Sequence, residues 1–247
     1  MQSWNLIVVV LMFVFPALCH GKSDVLIAAI PDGLARPLVF AESGDKISGI
    51  LPEYTEALAR EMGRKVQISV LSHYRLHSHL VSGKVDVLCY ASRAWAPPTN
   101  DYVWSKTLFN KREVILGVTP MPKHLTDLIG KKIGTILNYV YPRLDPFFKD
   151  KRIEREDGPS EEANLAKLEK GRLAYVVTDE LFLDYFKTKN PSIEEGHERL
   201  LLQQYPISCN VSQKGTITVK EVNSAIDHLK SSGKLSAIFK KYGSQIH

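Results

Sequence analysis

Two adjacent carboxylates, Asp179 and Glu180, follow an apolar run from Leu173 to Val177 after the single residue Thr178. An acid in this position serves one of two purposes. Thr178 or Asp179 can cap a following helix, because a side-chain oxygen there accepts the free N–H groups of the first turn. Alternatively, the acid points into a cleft, because α/β folds bind ligands at the carboxyl ends of their strands. The stretch alone leaves both interpretations open.

Metal binding and catalysis have weaker support in the sequence. His73 and His77 lie one turn apart on a predicted helix, a spacing that metal sites use. No carboxylate or cysteine accompanies them or His79 locally, so we expect no metal and no other cofactor. Catalysis requires an acid and a base with separated pKa values, and Asp179 and Glu180 have no convincing partner. We therefore expect no catalytic residues.

The composition is that of a folded protein without a nucleic-acid partner. Charged residues make up 24% and aromatic residues 9% of the 247 residues, which is ordinary for a chain with a core. The net charge is +5, but the 32 basic residues are spread among 27 acidic ones without a basic block. This pattern predicts a solvated surface of mixed sign. The length allows one large domain or two smaller ones.

The first 21 residues differ from the rest of the chain. They contain no Lys, Arg, Asp or Glu, and the apolar run from Leu6 to Leu18 is broken only by Pro16. A helix of this length spans about 20 Å, which is too short for a bilayer core but suits a secretory signal peptide. Ala17 and Cys19 provide small residues at the cleavage-site positions. We therefore expect residues 1–21 to be a signal peptide and the mature protein to be soluble and periplasmic.

Short apolar runs alternate with helical patterns in the mature chain, which is typical of an α/β fold. Pro52 opens one predicted helix and Gly63 follows its end. Ser160 is the predicted N-cap of a later helix that carries Glu161 and Glu162 in its first turn. The predicted early strands are 25–30, 66–70 and 85–90, and the helices between them are 52–62 and 72–82.

A short pattern occurs twice. Residues 80–85 (LVSGKV) lead into DVLCY, and residues 168–173 (LEKGRL) lead into AYVV. Each unit combines a helix end, a C-cap glycine, a basic residue and a buried strand. A unit that recurs 88 residues later along the chain suggests two lobes of similar construction.

Cys89 and Cys209 remain once the predicted leader is removed. Export permits a disulfide between them. Each lies in an apolar, strand-like run, DVLCYA or PISCNV, where cysteine commonly packs as a small hydrophobic residue. We therefore expect two packed thiols, with a disulfide as the alternative.

The order of these elements resembles the periplasmic solute-binding proteins of the polar amino acid type, which are receptors of ABC importers. The resemblance covers residues 24–245 and rests on DKISGILPEYTEALAREMG, LVSGKVDVLCY, DYVWSKTLF, LIGKKIGTI, LEKGRLAYVVTDE and VNSAIDHLKSSGKLSAIFKKYG. It implies a two-lobed type 2 periplasmic-binding fold of the α/β class, in which each lobe is a mixed sheet flanked by helices. Residues 24–109 and 206–247 would form lobe 1, residues 110–205 would form lobe 2, and two crossover strands would join them. The ligand would lie between lobes that close by a hinge.

The resemblance also implies a ligand site. Asp179 falls where family members bind the α-ammonium group of an amino acid, through a charge-assisted hydrogen bond. The arginine that usually binds the ligand carboxylate is missing, because Pro98 stands at its position. Arg93, next to Ser92, either provides this clamp from a shifted place or is a surface arginine. Trp95 replaces a ligand-side threonine, so we expect it to contact the ligand.

Further positions depart from the family pattern or match it only in part. Asp32 matches an acid near the side-chain end of the ligand. Tyr139 and Tyr141 stand where a Gly-Thr turn usually presents N–H groups, and they would narrow the pocket. Pro142 is predicted to start a helix whose N-terminus retains an anion site. Trp104 aligns with a buried aromatic residue and is expected in the core.

The resemblance implies a binding protein, not an enzyme. It would capture a small polar solute, either amino-acid-like or a carboxylate, and deliver it as a monomer to an inner-membrane ABC permease. Two alternatives stay open at this point. One is a periplasmic sensory receptor domain, and the other is a dehydratase-like enzyme on the same fold.

The leader predicts a processed N-terminus. Edman degradation or intact-mass analysis of the protein from its native host is expected to show a start between His20 and Ser23. An intact Met1, or a lipid on Cys19, would contradict the soluble periplasmic assignment.

Overall fold

The structure is a computed structural model that describes residues 24–41, 46–96 and 99–246. The predicted signal peptide and Pro98 lie outside these residues. The described strands are β1 (Val25–Pro31), β2 (Phe40–Ala41), β3 (Ile47–Ser48), β4 (Lys65–Leu71), β5 (Val87–Ala91), β6 (Tyr102–Val118), β7 (Lys132–Ile136), β8 (Glu154–Gly158), β9 (Tyr175–Asp179) and β10 (His197–Ser212). The described helices are α1 (Ile50–Glu61), α2 (His73–Ser82), α3 (Asp145–Lys149), α4 (Glu161–Glu169), α5 (Glu180–Lys189), α6 (Val219–Ser231) and α7 (Lys234–Lys241), with 3-10 turns at Leu125–Leu128 and Pro191–Glu194.

Eight of these strands form one sheet in the order β4-β1-β5-β10-β6-β9-β7-β8. The long strands β6 and β10 pair antiparallel from Tyr102 opposite Ser212 to Val118 opposite His197. The parallel strands β4, β1 and β5 join one end of this pair through β10. The parallel strands β9, β7 and β8 join the other end through β6. The sheet therefore has two halves that share only the long strand pair.

Local sequence accounts for the helix boundaries. Ser160 caps α4 as predicted, because its hydroxyl accepts the Ala163 N–H at 3.2 Å. Thr218 caps α6 in the same way, and Glu221 accepts the Thr218 N–H in return at 2.9 Å, which completes a capping box. Gly83 ends α2 at a φ of 77°, a left-handed conformation that glycine adopts without steric cost.

Each half of the sheet buries side chains on both of its faces, because successive residues of a strand point in opposite directions. Leu26 and Ile30 of β1 pack with helices α1, α6 and α7, whereas Ala29 packs with α2. In the other half, Val176 of β9 packs with α4 and α5, whereas Val177 faces the side that carries α3. No helix among the described residues is both long enough and apolar enough to cross a membrane.

The expectation of two packed thiols is wrong, because Cys89 and Cys209 form a disulfide. Both cysteines lie in the apolar strands that the sequence predicted, β5 and β10, and both are buried. These strands are antiparallel neighbours, with Ala91 opposite Ser208 and Leu88 opposite Asn210. The pairing of the strands therefore brings together two cysteines that are 120 residues apart along the chain.

The disulfide predicts a loss of stability on reduction. Replacing both residues, Cys89→Ala with Cys209→Ala, is expected to lower the free energy of unfolding by about 2–4 kcal/mol, because the closed loop restricts the unfolded chain. Denaturant unfolding monitored by circular dichroism measures this change. The reduced wild type serves as the control and should unfold at a similarly low denaturant concentration. Equal midpoints for oxidised and reduced wild type would contradict the prediction.

Candidate functional site

The register of three adjacent strands brings the polar residues of the site together. Glu113 of β6 lies opposite Asp179, the last residue of β9, and on its other side lies opposite Gln203 of β10. Two residues earlier on β6, Lys111 lies opposite Tyr205 of β10. Residues two apart on a strand share a face, so Lys111 and Glu113 project to the same side. Backbone pairing alone therefore brings five side chains together. We call this group the charged patch; it consists of Lys111, Glu113, Asp179, Gln203 and Tyr205.

Lys111 is the centre of this patch. Its ammonium donates to Asp179 Oδ2 at 2.9 Å and to Glu113 Oε1 at 2.8 Å. The Gln203 amide holds the other oxygen of Glu113. The three charged side chains are only 11–14% exposed. Burial opposes the charge on Lys111, but Asp179, Tyr90 and Glu113 outweigh it and raise the lysine pKa well above its ordinary value.

Asp179 caps the following helix, which is one of the two functions that its position in the sequence suggested. Its Oδ1 accepts the Leu181 N–H at 2.8 Å and so caps α5. Thr178, the other predicted cap, donates its hydroxyl to Glu161 Oε1 at 3.3 Å instead. The second oxygen of Asp179 faces Lys111, so the same carboxylate belongs to the charged patch.

Glu161 adds a third carboxylate next to Asp179. It is the first residue of α4, and its Oε1 accepts the Asp179 N–H at 2.7 Å. Desolvation and the negative charge of Asp179 raise the pKa of the Glu161 carboxyl to about 8. The protonated form of Glu161 is therefore favoured more than in an ordinary glutamate, because the carboxyl is desolvated and lies beside the negative charge of Asp179.

Aromatic rings line the patch on the side of β5. Trp95 lies 5.8 Å from Tyr90 and 5.2 Å from Tyr205 between ring centroids. The Lys111 ammonium lies 5.9 Å from the centre of the Tyr205 ring, within the range of a cation–π contact. Trp95 remains 45% exposed, so part of this predicted ligand contact is accessible to a solute.

Tyr139 and Tyr141 occupy different environments. Tyr139 is 55% exposed, and partial desolvation, together with the nearby acid Glu161, raises the pKa of its hydroxyl. Tyr141 is buried, and its hydroxyl accepts the Ile136 N–H at 3.1 Å. Tyr139 therefore has surface available to a ligand, whereas Tyr141 mainly anchors the loop that follows β7.

The helix predicted to start at Pro142 is wrong. The helix α3 starts at Asp145 and is five residues long. Asp145 accepts the Tyr141 N–H at 3.3 Å, so an acid already uses a free N–H of this segment. The predicted anion site at a helix start therefore has no support here.

Three other predicted site residues, Arg93, Ser92 and Asp32, have no described contact with Asp179. The Arg93 guanidinium lies over the Trp104 ring, 4.8 Å from its centre, and Trp104 packs at the edge of the core beneath α2. Ser92 is buried, and its hydroxyl accepts the Ala94 N–H at 3.4 Å. Asp32 is exposed in the turn after β1. Among the described contacts, none joins Arg93 to the charged patch.

Residues 27–245 match the family model of the bacterial extracellular solute-binding proteins, family 3. The chain belongs to this family. The probable amino-acid-binding protein YxeM of Bacillus subtilis (strain 168) is 23% identical to it over 252 residues, which cover 98% of this chain and 95% of that relative.

Solved solute receptors share the fold of this solute-binding protein. The L-cystine solute receptor of Neisseria gonorrhoeae, in its unliganded open conformation, aligns with a TM-score of 0.71 at 19% identity, over 92% of this chain and 95% of the receptor. An ancestral arginine-binding protein bound to arginine aligns with a TM-score of 0.62 at 21% identity, over 90% of this chain and 100% of that protein. The predicted two-lobed type 2 periplasmic-binding fold is confirmed.

Sequence reasoning missed four members of the patch in this solute-binding protein: Lys111, Glu113, Gln203 and Tyr205. A weak signal was present, because the polar run of residues 110–113 (NKRE) interrupts the strand between the apolar stretches 108–109 and 114–116. Charged residues in the middle of a buried strand need a partner. The identity of that partner depends on strand register, which the sequence does not reveal.

The raised pKa of Glu161 predicts a pH-dependent stability. The folded protein binds this proton more tightly than the unfolded chain, so the free energy of unfolding falls as the pH rises from the ordinary glutamate pKa toward about 8. Glu161→Gln mimics the protonated acid and should lose less stability than the wild type between pH 5 and pH 8. Urea unfolding at both pH values measures this difference. Glu162→Gln, at the exposed neighbouring residue, is the control, and identical pH dependence in wild type and Glu161→Gln would contradict the prediction.

Proposed function

We propose that this family 3 protein captures an amino acid, or a small solute of similar chemistry, between its two lobes and delivers it to an ABC permease. The observation that carries the proposal is the Asp179 carboxylate. It ends a strand at the boundary of the two halves of the sheet, is largely withdrawn from water and already binds an ammonium group, that of Lys111, at 2.9 Å. A site that holds one ammonium has the chemistry to bind that of an amino acid.

The aromatic rings support a solute with a positive or amphipathic group. Tyr90, Trp95 and Tyr205 form one wall, and Tyr139 presents an exposed ring near Glu161. Aromatic faces attract cations and cover apolar groups. The relatives fit this chemistry, because one is bound to arginine and another is an L-cystine receptor.

The proposed lobes are residues 24–109 with 206–247, and residues 110–205. The long strands β6 and β10 connect them, and β10 has register shifts on both sides of residues 203–207, between Leu201 and Gln203 and between Ile207 and Ser208. Such irregularities bend a strand locally, which supports a hinge at this place. The two proposed lobes also approach each other away from this hinge. There the ring centroids of Phe40, in lobe 1, and Tyr185, in lobe 2, lie 5.5 Å apart.

The family is extracellular by its description, and we propose that this member is exported through its N-terminal segment and acts in the periplasm. Binding without conversion of the solute is the activity that the family supports. In the charged patch a single lysine, Lys111, is shared by Asp179 and Glu113, and we infer that this patch is a recognition site.

If Asp179 binds the ammonium group of the solute, then replacing Asp179 should lower the affinity for that solute. Isothermal titration calorimetry with L-arginine, L-glutamine and L-cystine is expected to detect binding of at least one of them to the wild type. Asp179→Asn should weaken that binding by about ten- to a hundredfold, the size of one charge-assisted hydrogen bond. Asparagine also caps helices, so the melting temperature should change little.

Asp150→Asn is the matched control, because Asp150 is an exposed acid that pairs with Arg152 at 3.2 Å, outside the patch. Its affinity should equal that of the wild type. Failure of every amino acid to bind, or equal affinity for wild type and Asp179→Asn, would contradict the proposed function. The bound amino acid should be recovered unchanged from the complex.

A further inference from the structure

Lys111 stands where a solute ammonium would have to bind. Asp179 uses one carboxylate oxygen for the Leu181 N–H at 2.8 Å and the other for the Lys111 ammonium at 2.9 Å. A second ammonium that reached Asp179 would lie within a few ångströms of the first, and like charges at that distance repel strongly when water is scarce. The solute and Lys111 therefore compete for the same oxygen.

Lys111 is poorly suited to the opposite role, that of a clamp for a solute carboxylate. Its ammonium already contacts two carboxylates, those of Asp179 and Glu113. Glu161 lies beside Asp179 as a third acid. Another carboxylate would enter a patch in which acids already outnumber the lysine, whereas another cation would relieve this imbalance.

Glu113 offers the Lys111 ammonium a second binding position, away from Asp179. If the ammonium leaves Asp179, it keeps its contact with Glu113 at 2.8 Å and the neighbouring face of Tyr205. The Gln203 amide, from the adjacent strand, holds Glu113 in place. Since a lysine side chain is a flexible stem with a compact charge, the move needs no change in the backbone.

We propose that Lys111 is an internal competitor that sets the affinity of the site. Its ammonium occupies the Asp179 position, and a solute with a primary ammonium group binds there as Lys111 withdraws to Glu113 alone. This inference rests on the proposed function, because it concerns the same carboxylate. It makes Lys111 a specificity-determining residue that weakens binding of every amine and excludes those that cannot displace it.

The decisive test is the sign of the change in affinity. Lys111→Met removes the competing charge and keeps the length of the side chain, so it should bind the amino acid that the wild type binds at least about tenfold more tightly. Glu113→Gln removes the second position and should bind it more weakly. Lys106→Met is the control, since Lys106 lies on the same strand but is exposed and pairs with Asp227, and its affinity should not change.

Weaker or unchanged binding by Lys111→Met would overturn the inference, and weaker binding would identify Lys111 as a direct contact of the solute. The proposed function fails separately, when Asp179→Asn binds as well as the wild type. If Lys111→Met does not fold, the double variant Lys111→Met with Glu113→Gln keeps the net charge of the patch and is compared with Glu113→Gln alone.

A second measurement does not depend on the identity of the solute. Lys111→Ala leaves space for the three carbons and the ammonium that it removes, which n-propylammonium replaces. The melting temperature of Lys111→Ala should rise with the concentration of n-propylammonium chloride, and that of the wild type should not. Equal responses of Lys111→Ala to n-propylammonium chloride and to sodium chloride would overturn the inference, even if no amino acid binds to the wild type.

Discussion

The antiparallel pairing of β6 and β10 is the constraint on which the rest of the structure depends. These strands are 17 and 16 residues long, and each contributes one of its ends to each half of the sheet. The parallel strands attach at opposite ends of the pair, so its middle belongs to neither group. A polar patch in this middle region meets both halves of the protein. Lys111, Gln203 and Tyr205 lie there, and Glu113 lies at its boundary, where it pairs with the last residue of β9.

Burying the charges of the charged patch costs free energy, which suggests that these charges serve a function. Desolvated charges are tolerated only where partners and hydrogen bonds compensate for the lost water. Here the compensation is nearly complete, since Lys111 contacts two carboxylates and Asp179 also accepts the Leu181 N–H at the start of a helix. Glu161, next to Asp179, is the third acid, and desolvation together with the charge of Asp179 raises its pKa. Apolar residues would pack this part of the sheet more simply, so we interpret the charges as a recognition site.

Features that depend on local sequence could be predicted well. The Ser160 cap, the end of α2 at Gly83 and the apolar strands β1, β5 and β9 follow from capping chemistry and hydrophobic patterns. The helix cap at Asp179 follows from its place after a strand, whereas its ligand role is what the resemblance implies. The resemblance also supported the fold class, because several weak motifs occur in the expected order.

Features that depend on which strands are neighbours could not be predicted. The disulfide requires β5 to pair with β10, and the sequence identifies both strands without revealing that they are adjacent. For the same reason Lys111 could not be identified as a site residue from the sequence, because its partners come from three strands. Tyr141 shows a different limit, because two tyrosines in one loop look equivalent in the sequence while only Tyr139 is exposed.

The central claim is that Asp179 binds an ammonium group of the solute and that Lys111 gives way to it. A crystal structure of the protein with its amino acid bound tests this directly. The ligand ammonium nitrogen is expected within about 3 Å of an Asp179 carboxylate oxygen, with the Lys111 ammonium on Glu113 alone. A bound solute with no nitrogen at Asp179, and with the contact between Lys111 and Asp179 intact, would contradict it.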